Sequence, residues 1–258
     1  MRRDRALVAG ALILVALLAW AWILAGAGMG MSAMEMTRHT NMGMDMMSPG
    51  AWDTPYIILM FFMWWIMMIA MMLPSAAPVV LLAAALNRRS SQALNPFGSA
   101  AAFTAGYLLA WAVFSGLAVA AQWALQESGV LSGMLRSTSG ILSAALLLAA
   151  GVWQFTPWKH ACLSHCRGPV EFLTAQKRRG TWGALITGGH HGLYCLGCCW
   201  FLMALLFVGG AMNLFWIAGL AIYVWVEKIL PSGETVSRVM GGLLIAWGLA
   251  ILAGLVSG

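Results

Sequence analysis

The chain has very little charge: Asp, Glu, Lys and Arg make up 9% of its 258 residues, against 62% hydrophobic residues. A water-soluble domain carries about 25% charged residues, so this scarcity excludes the soluble globular class. From Gly180 to Val226 there is no Asp, Glu, Lys or Arg at all. An even, scattered set of cysteines is also missing. The five present all fall between Cys162 and Cys199, which excludes a secreted disulfide framework and favours reduced thiols or thiolate ligands. There is no Walker loop, no nucleophile–base–acid set and no pair of catalytic carboxylates, so nothing points to an enzyme class, and a non-catalytic role is the better reading. The net charge of +6 invites nucleic acid as a partner. However, the basic residues stand in short clusters between apolar runs, with no aromatic-interleaved stripe to follow a phosphate backbone. Nucleic acid is excluded on that ground.

Long apolar runs dominate what is there. A helical crossing needs about 20 predominantly apolar residues, and seven stretches qualify: 6–28, 55–86, 99–124, 138–156, 190–210, 211–227 and 236–257. The expected fold is therefore all-α, a polytopic helical bundle in lipid. The pair covering 190–227 is short, with an apolar turn at Gly209, Gly210 and Asn213, so six or eight crossings remain open. The stretch 1–28 reads as an amino-terminal transmembrane anchor. It resembles a secretory signal, down to Ala25-Gly26-Ala27, but its apolar run exceeds the usual core of about 7–15 residues. Residues 29–54 form a Met-rich extracytoplasmic loop, and 55–258 a polytopic domain with a Cys/His loop at 157–180. With the amino terminus in the cytoplasm, twelve of the fourteen Lys and Arg lie inside and only Arg38 and Arg136 outside. That asymmetry fits a bacterial inner-membrane protein, with the carboxyl terminus outside for seven crossings.

The second stretch is too long for one straight crossing. Tyr56 to Leu86 would extend about 46 Å as a helix, against a hydrocarbon core of about 30 Å. It contains Pro74 and Pro78, each of which removes a backbone donor. Two readings follow: a tilted, kinked helix, or a broken helix that lines a site.

Methionine is concentrated in the same region, with fourteen of nineteen between Met29 and Met72. Eight belong to MGMSAMEMTRHTNMGMDMM, which also holds His39. Packing gives little reason for thioethers in a polar segment read as a flexible loop, whereas thioethers select Cu(I) and need no deprotonation. Adaptable apolar contact with lipid or a partner is the competing explanation. Six more lie in the second stretch. Met63, Met67 and Met71 stand four apart, which stacks them on one helix face. Met68 and Met72 form a neighbouring ladder, with Met60 above. Ordinary packing explains this stripe equally well.

The cysteines form two groups. In HHGLYCLGCCW, His191, Cys195 and Cys199 are successive i+4 neighbours, Cys198 is i+3 from Cys195, and Met203 continues the ladder. Gly188, Gly189, Gly192 and Gly197 keep the adjoining surface small, so another helix or a ligand can approach. In TPWKHACLSHCRGP, Thr156-Pro157 reads as a helix start and Gly168-Pro169 as its stop. Cys162 and Cys166 share a face of that short helix, with His165 i+3 from Cys162, and Lys159 and Arg167 near enough to favour thiolates. Convergence of the two groups would make a soft-metal site, with Cu(I), zinc and a redox disulfide all open.

Four segments, MMLPSAAP, TPWKHACLSHCRGP, GHHGLYCLGCCW and GGAMNLFWIAGLAIYVWVEK, resemble a bacterial family described as predicted metal-binding integral membrane proteins, a family without an assigned activity. The resemblance runs from about Trp52 through the last apolar run, and YCLGCCW is its most specific part. It implies a polytopic helical membrane protein that binds metal. Its matching positions are Cys162, Cys166, His191, Cys195, Cys198 and Cys199, with Met67, Met68, Met71 and Met72 before Pro74. The Met-rich loop is also similar, in local logic alone, to the extracellular ends of eukaryotic copper importers.

The expected function is inner-membrane handling of Cu(I), in transport, delivery or assembly, with metal ligands among Met63, Met67, Met71, Cys162, His165, Cys166, His191, Cys195, Cys198 and Cys199. Expected partners are lipid and either a metallochaperone or subunits of a membrane complex. Two rivals stand beside it. One is a structural or assembly subunit whose metal staples a loop. The other is a membrane thiol oxidoreductase that uses Cys195 and Cys198, with Cys162 and Cys166 as the partner pair.

Overall fold

The computed structural model describes residues 2–42, 51–89, 96–168, 173 and 180–257. Met44, Met46 and Met47 of the Met-rich segment lie outside the described residues, as do Pro169 and the basic run Lys177–Arg179. The described residues are helical apart from turns and one isolated antiparallel bridge between Leu131 and Ser137. In chain order the helices are α1 (Arg2–Leu24), α2 (Ala33–Asn41), α3 (Thr54–Arg89), α4 (Pro96–Glu127) and α5 (Gly140–Trp153). They continue with α6 (Pro157–Arg167), α7 (Gly180–Ala204), α8 (Leu206–Gly209), α9 (Leu214–Ile229) and α10 (Gly233–Ser257).

Five helical segments are long and apolar enough to cross a membrane: Arg5–Leu24, Thr54–Leu86, Gly98–Glu127, Gly180–Gly209 and Gly233–Val256. The expected seven are therefore only partly met. The stretch 138–156 becomes the 14-residue α5, which bends by 65° into α6. The stretch 211–227 becomes the 16-residue α9. The helix expected to begin near His190 begins at Gly180.

The second stretch is one continuous helix, α3, which carries both prolines inside it. Pro74 has no N–H for the carbonyl of Ala70, four residues earlier. The indole Nε1 of Trp20 on α1 donates to that carbonyl at 3.1 Å, supplying the partner that an apolar surrounding cannot. Trp64 and Trp65 are tied inward as well, not held at an interface. Trp64 is fully buried and donates to Gln122 Oε1 at 2.9 Å, and Trp65 donates to the Leu108 carbonyl at 3.0 Å.

The Met-rich segment contains a short helix where a flexible loop was expected. Ser32 caps α2 and forms a reciprocal box with Glu35, whose carboxylate accepts from the Ser32 N–H at 3.0 Å. Those hydrogen bonds from Ser32 hold the Glu35 carboxyl below its ordinary value. The box is therefore kept in mild acid and is lost only as pH falls through that lowered value. Three further bonds fasten α2 to the rest of the fold. Arg136 donates to the Thr40 carbonyl at 3.1 Å, Asn213 Nδ2 to Asn41 Oδ1 at 3.1 Å, and the Leu214 N–H to Thr37 Oγ1 at 2.8 Å. Asn213 also caps α9, as its place in the turn suggested, accepting from the Phe215 and Trp216 N–H groups.

The Trp20–Ala70 bond yields a double-mutant prediction. Trp20→Phe leaves the Ala70 carbonyl without its donor and costs about 1–3 kcal/mol. Pro74→Ala restores an intrahelical donor, so the penalty of Trp20→Phe shrinks in the Pro74→Ala background. Thermal unfolding of the purified proteins measures the cycle, and equal penalties in both backgrounds would refute this account.

Candidate metal centre

Helices α4 and α7 form the most extensive pairing among the described residues, and glycine makes it close. A Cβ built on Gly188 would lie 1.9 Å from the Phe103 carbonyl oxygen, one on Gly106 1.9 Å from that of Leu185, and one on Gly192 2.6 Å from the Ala110 Cβ. Only backbones without side chains meet at such range. The contact brings Tyr107 of α4 against α7, where its hydroxyl lies 3.1 Å from Cys195 Sγ. The buried His191 ring packs between Phe103 and Tyr107, with centroids 5.9 and 5.8 Å away.

Cys195 is the hub of the thiols. The Cys198 and Cys199 sulfhydryls, both fully buried, donate to its carbonyl oxygen at 3.0 and 2.8 Å. Cys166 reaches in from α6, and its thiol interacts with those of Cys195 and Cys198. The two cysteine groups thus converge. Helix α6 has the bounds its sequence signals predict: Thr156 caps it, Pro157 opens it and Gly168 ends it. Cys162 is half-buried at the rim, where a Cβ on Gly197 would lie 2.8 Å from its sulfur. His165 has its Nδ1 2.7 Å from the Ala161 carbonyl, and its ring stacks on Tyr194 at 4.2 Å between centroids.

A cation already faces these sulfurs, but it is not the expected one. Lys228 Nζ donates to Cys195 Sγ at 2.9 Å and to Ser75 Oγ at 3.3 Å. Lys159 instead pairs with Glu227 Oε1 at 2.5 Å, both side chains having 0% exposure, and donates to Gln154 Oε1 as well. Tyr223 and Ser237 complete that second network, donating to Glu227 Oε1 and Gln154 Oε1 at 2.9 Å each. Arg167 donates to the carbonyls of Leu230 and Pro231.

The backbone at the Pro74 end of the methionine ladder lies beside the residues that meet Cys195. Met63, Met67, Met71, Met68 and Met72 are all buried, as are Met60 and Met203. The Met72 carbonyl accepts from the Tyr107 hydroxyl at 3.3 Å and from Ser75 Oγ at 2.8 Å. Those same two hydroxyls touch Cys195 and Lys228. At the other end, Gln122 Nε2 donates to Met60 Sδ at 3.3 Å.

Among the described residues, no three His, Cys, Asp or Glu side chains are arranged to hold a metal ion. Cys198 and Cys199 turn their S–H groups back onto the Cys195 carbonyl. Coordination would exchange those bonds for sulfur–metal bonds, with loss of the thiol protons.

Fold and site together define a protein, helical in its described residues, whose interior holds a stripe of buried methionines and a group of buried thiols. Residues 61–251, about three-quarters of the chain, match the model of the PpoB2 family, described as a copper chaperone, and the protein belongs to that family. No curated protein and no solved structure matches it.

Two predictions test this geometry. Removing one member of the buried ion pair, as in Lys159→Met, costs about 3–5 kcal/mol, whereas Lys159→Met with Glu227→Leu recovers most of it; thermal unfolding reads the difference. In timed alkylation followed by peptide mapping, Cys162 reacts first because the other four thiols are buried. Gly197→Ala speeds that reaction by pushing the Cys162 sulfur outward.

Proposed function

We propose that this protein is a multi-pass copper chaperone of the bacterial inner membrane. It accepts Cu(I) on thioethers at the α2 end and holds it for delivery on the thiols at the α6 end. The observation that supports this reading is the Met72 carbonyl, which accepts from Tyr107 and Ser75, the same hydroxyls that meet Cys195 and Lys228. On this reading the two ligand sets form one path. Weakly binding thioethers lead to tightly binding thiolates, which gives the ion a resting place without an ATPase module.

The seven-crossing reading has support in the connections. Helix α9 runs from Leu214, bonded to α2, to Glu227, bonded to α6. Helix α5 leaves the segment joined to α2 through Arg136 and runs toward α6. Both short helices therefore link the same two ends as the five long ones. The amino terminus is then cytoplasmic and α2 external, as the basic residues require. The partners are the source and the recipient of copper, a metallochaperone or a copper-dependent membrane complex.

The ion-pair network argues against a metal staple. Helix α6 is already fastened by Lys159 to Glu227 and by Arg167 to Leu230 and Pro231, so its position needs no ion.

Copper content of the purified protein is the direct test. The wild type retains copper after dialysis against a weak chelator, and Cys195→Ser/Cys198→Ser loses most of it while keeping its thermal midpoint. Absence of copper above background in both proteins would end this reading.

A further inference from the structure

We propose that Met36, Met63, Met67 and Met212 form a single thioether site for Cu(I), closed by α2, at the outer end of the ladder. This inference rests on the copper-handling reading above and adds a place where the ion first leaves water.

The four residues come from three parts of the chain. Met36 lies on α2, Met63 and Met67 stand one turn apart on α3, and Met212 belongs to the turn before α9. All four are buried, and together they line a cavity of about 10 Å³, room for about one water-sized sphere. The rest of the lining is Ile and Ala, with no side-chain oxygen or nitrogen. Methionine is the most adaptable filler of gaps in a core. Four methionines around a gap they leave unfilled are poorly explained by packing.

The lining selects the ion. Hard cations need oxygen ligands and zinc sites use thiolate, imidazole or carboxylate, whereas thioethers select Cu(I). The ligands are neutral, so the ion keeps its full charge in an apolar surrounding. The solvation cost rises with the square of that charge, roughly fourfold for a divalent ion. A soft monovalent cation is the remaining class, which makes Ag(I) a usable surrogate.

The position suits loading. Met34 and Met42, at the two ends of the same short helix, are exposed. Inside, Met71 is the next rung after Met67 on the way to Met72. Helix α2 is held over the cavity by its bonds to Arg136, Asn213 and Leu214, which fixes Met36 against α3.

The test uses the full-length protein in detergent, titrated with Cu(I) against a chromogenic Cu(I) chelator and, separately, with Ag(I). In a variant with all five cysteines changed to Ser, one Cu(I) equivalent remains. Adding Met36→Leu/Met212→Leu weakens that equivalent about tenfold or more, whereas Met240→Leu, outside the cavity, leaves it unchanged. Leu conserves volume, and an unchanged thermal midpoint checks the fold. In case the cysteine-free protein does not fold, Met36→Leu/Met212→Leu in the wild-type background must remove one bound equivalent and leave the thiol-bound copper in place. Retention of every equivalent in the Met36→Leu/Met212→Leu proteins overturns this site, and so does a folded cysteine-free protein that binds none. Either result leaves the thiol-based reading standing. A wild-type protein that binds no copper overturns both.

Discussion

The backbone contact between α4 and α7 is the constraint from which the site follows. Gly106, Gly188 and Gly192 leave no side chain between the two helices. Small residues at a helix–helix contact let the backbones approach closely and pack by dispersion. Once the backbones touch, the Tyr107 hydroxyl has no water to face and meets Cys195, while the His191 ring is enclosed by Phe103 and Tyr107. The same helix α7 then offers Gly197 to α6, so that Cys162 and Cys166 can approach. Small residues on α7 thus set the distance at which sulfur from one part of the chain reaches sulfur from another.

Charge is the second constraint. Glu227 and Lys228 are adjacent in sequence, and neighbours on a helix do not face each other. The two therefore look to different partners. Glu227 turns to α6 and takes Lys159, while Lys228 turns to α3 and α7, where it meets Ser75 and Cys195. A buried charge needs a partner, and Lys228 finds Ser75 Oγ and Cys195 Sγ.

Much of this was readable in advance, and the omissions have physical causes. Thr156-Pro157 and Gly168 bound α6 because capping chemistry is local. The i, i+4 spacing of His191, Cys195 and Cys199 put them on one face because helical geometry is local too. Helix α2 carries a local signal as well, Ser32 with Glu35, but the low hydrophobicity of its surroundings suggested a loop. Its stability comes from bonds to Arg136 and Asn213, far along the chain. The Trp20–Ala70 bond could not be foreseen for the same reason: Pro74 announces a freed carbonyl but does not say who answers it. Lys159 was placed near the thiols by sequence proximity, and the competing carboxylate of Glu227 came from another helix. Span counting from hydropathy cannot see that α5 and α9 run short or that α5 bends into α6. The convergence of the thiols was an inference from their confinement to two segments; their proximity depends on packing that the sequence does not print.

The charge at the thiol cluster also bears on which ion it suits. An apolar interior favours a site whose total charge is zero. Under the proposed function, Cu(I) held by two thiolates would carry one negative charge, which a Lys228 ammonium beside Cys195 would cancel. A divalent ion on the same two thiolates would leave one positive charge uncompensated. A third thiolate would be needed to balance it. Two thiolates, one ammonium and one monovalent soft ion make a neutral set. The neutral thioethers of the ladder let a monovalent ion arrive with the least charge to bury, and the cluster neutralises that charge when the thiols give up their protons. Both parts therefore favour the same ion for related reasons. The ladder tolerates only a small charge, and the cluster balances that same small charge.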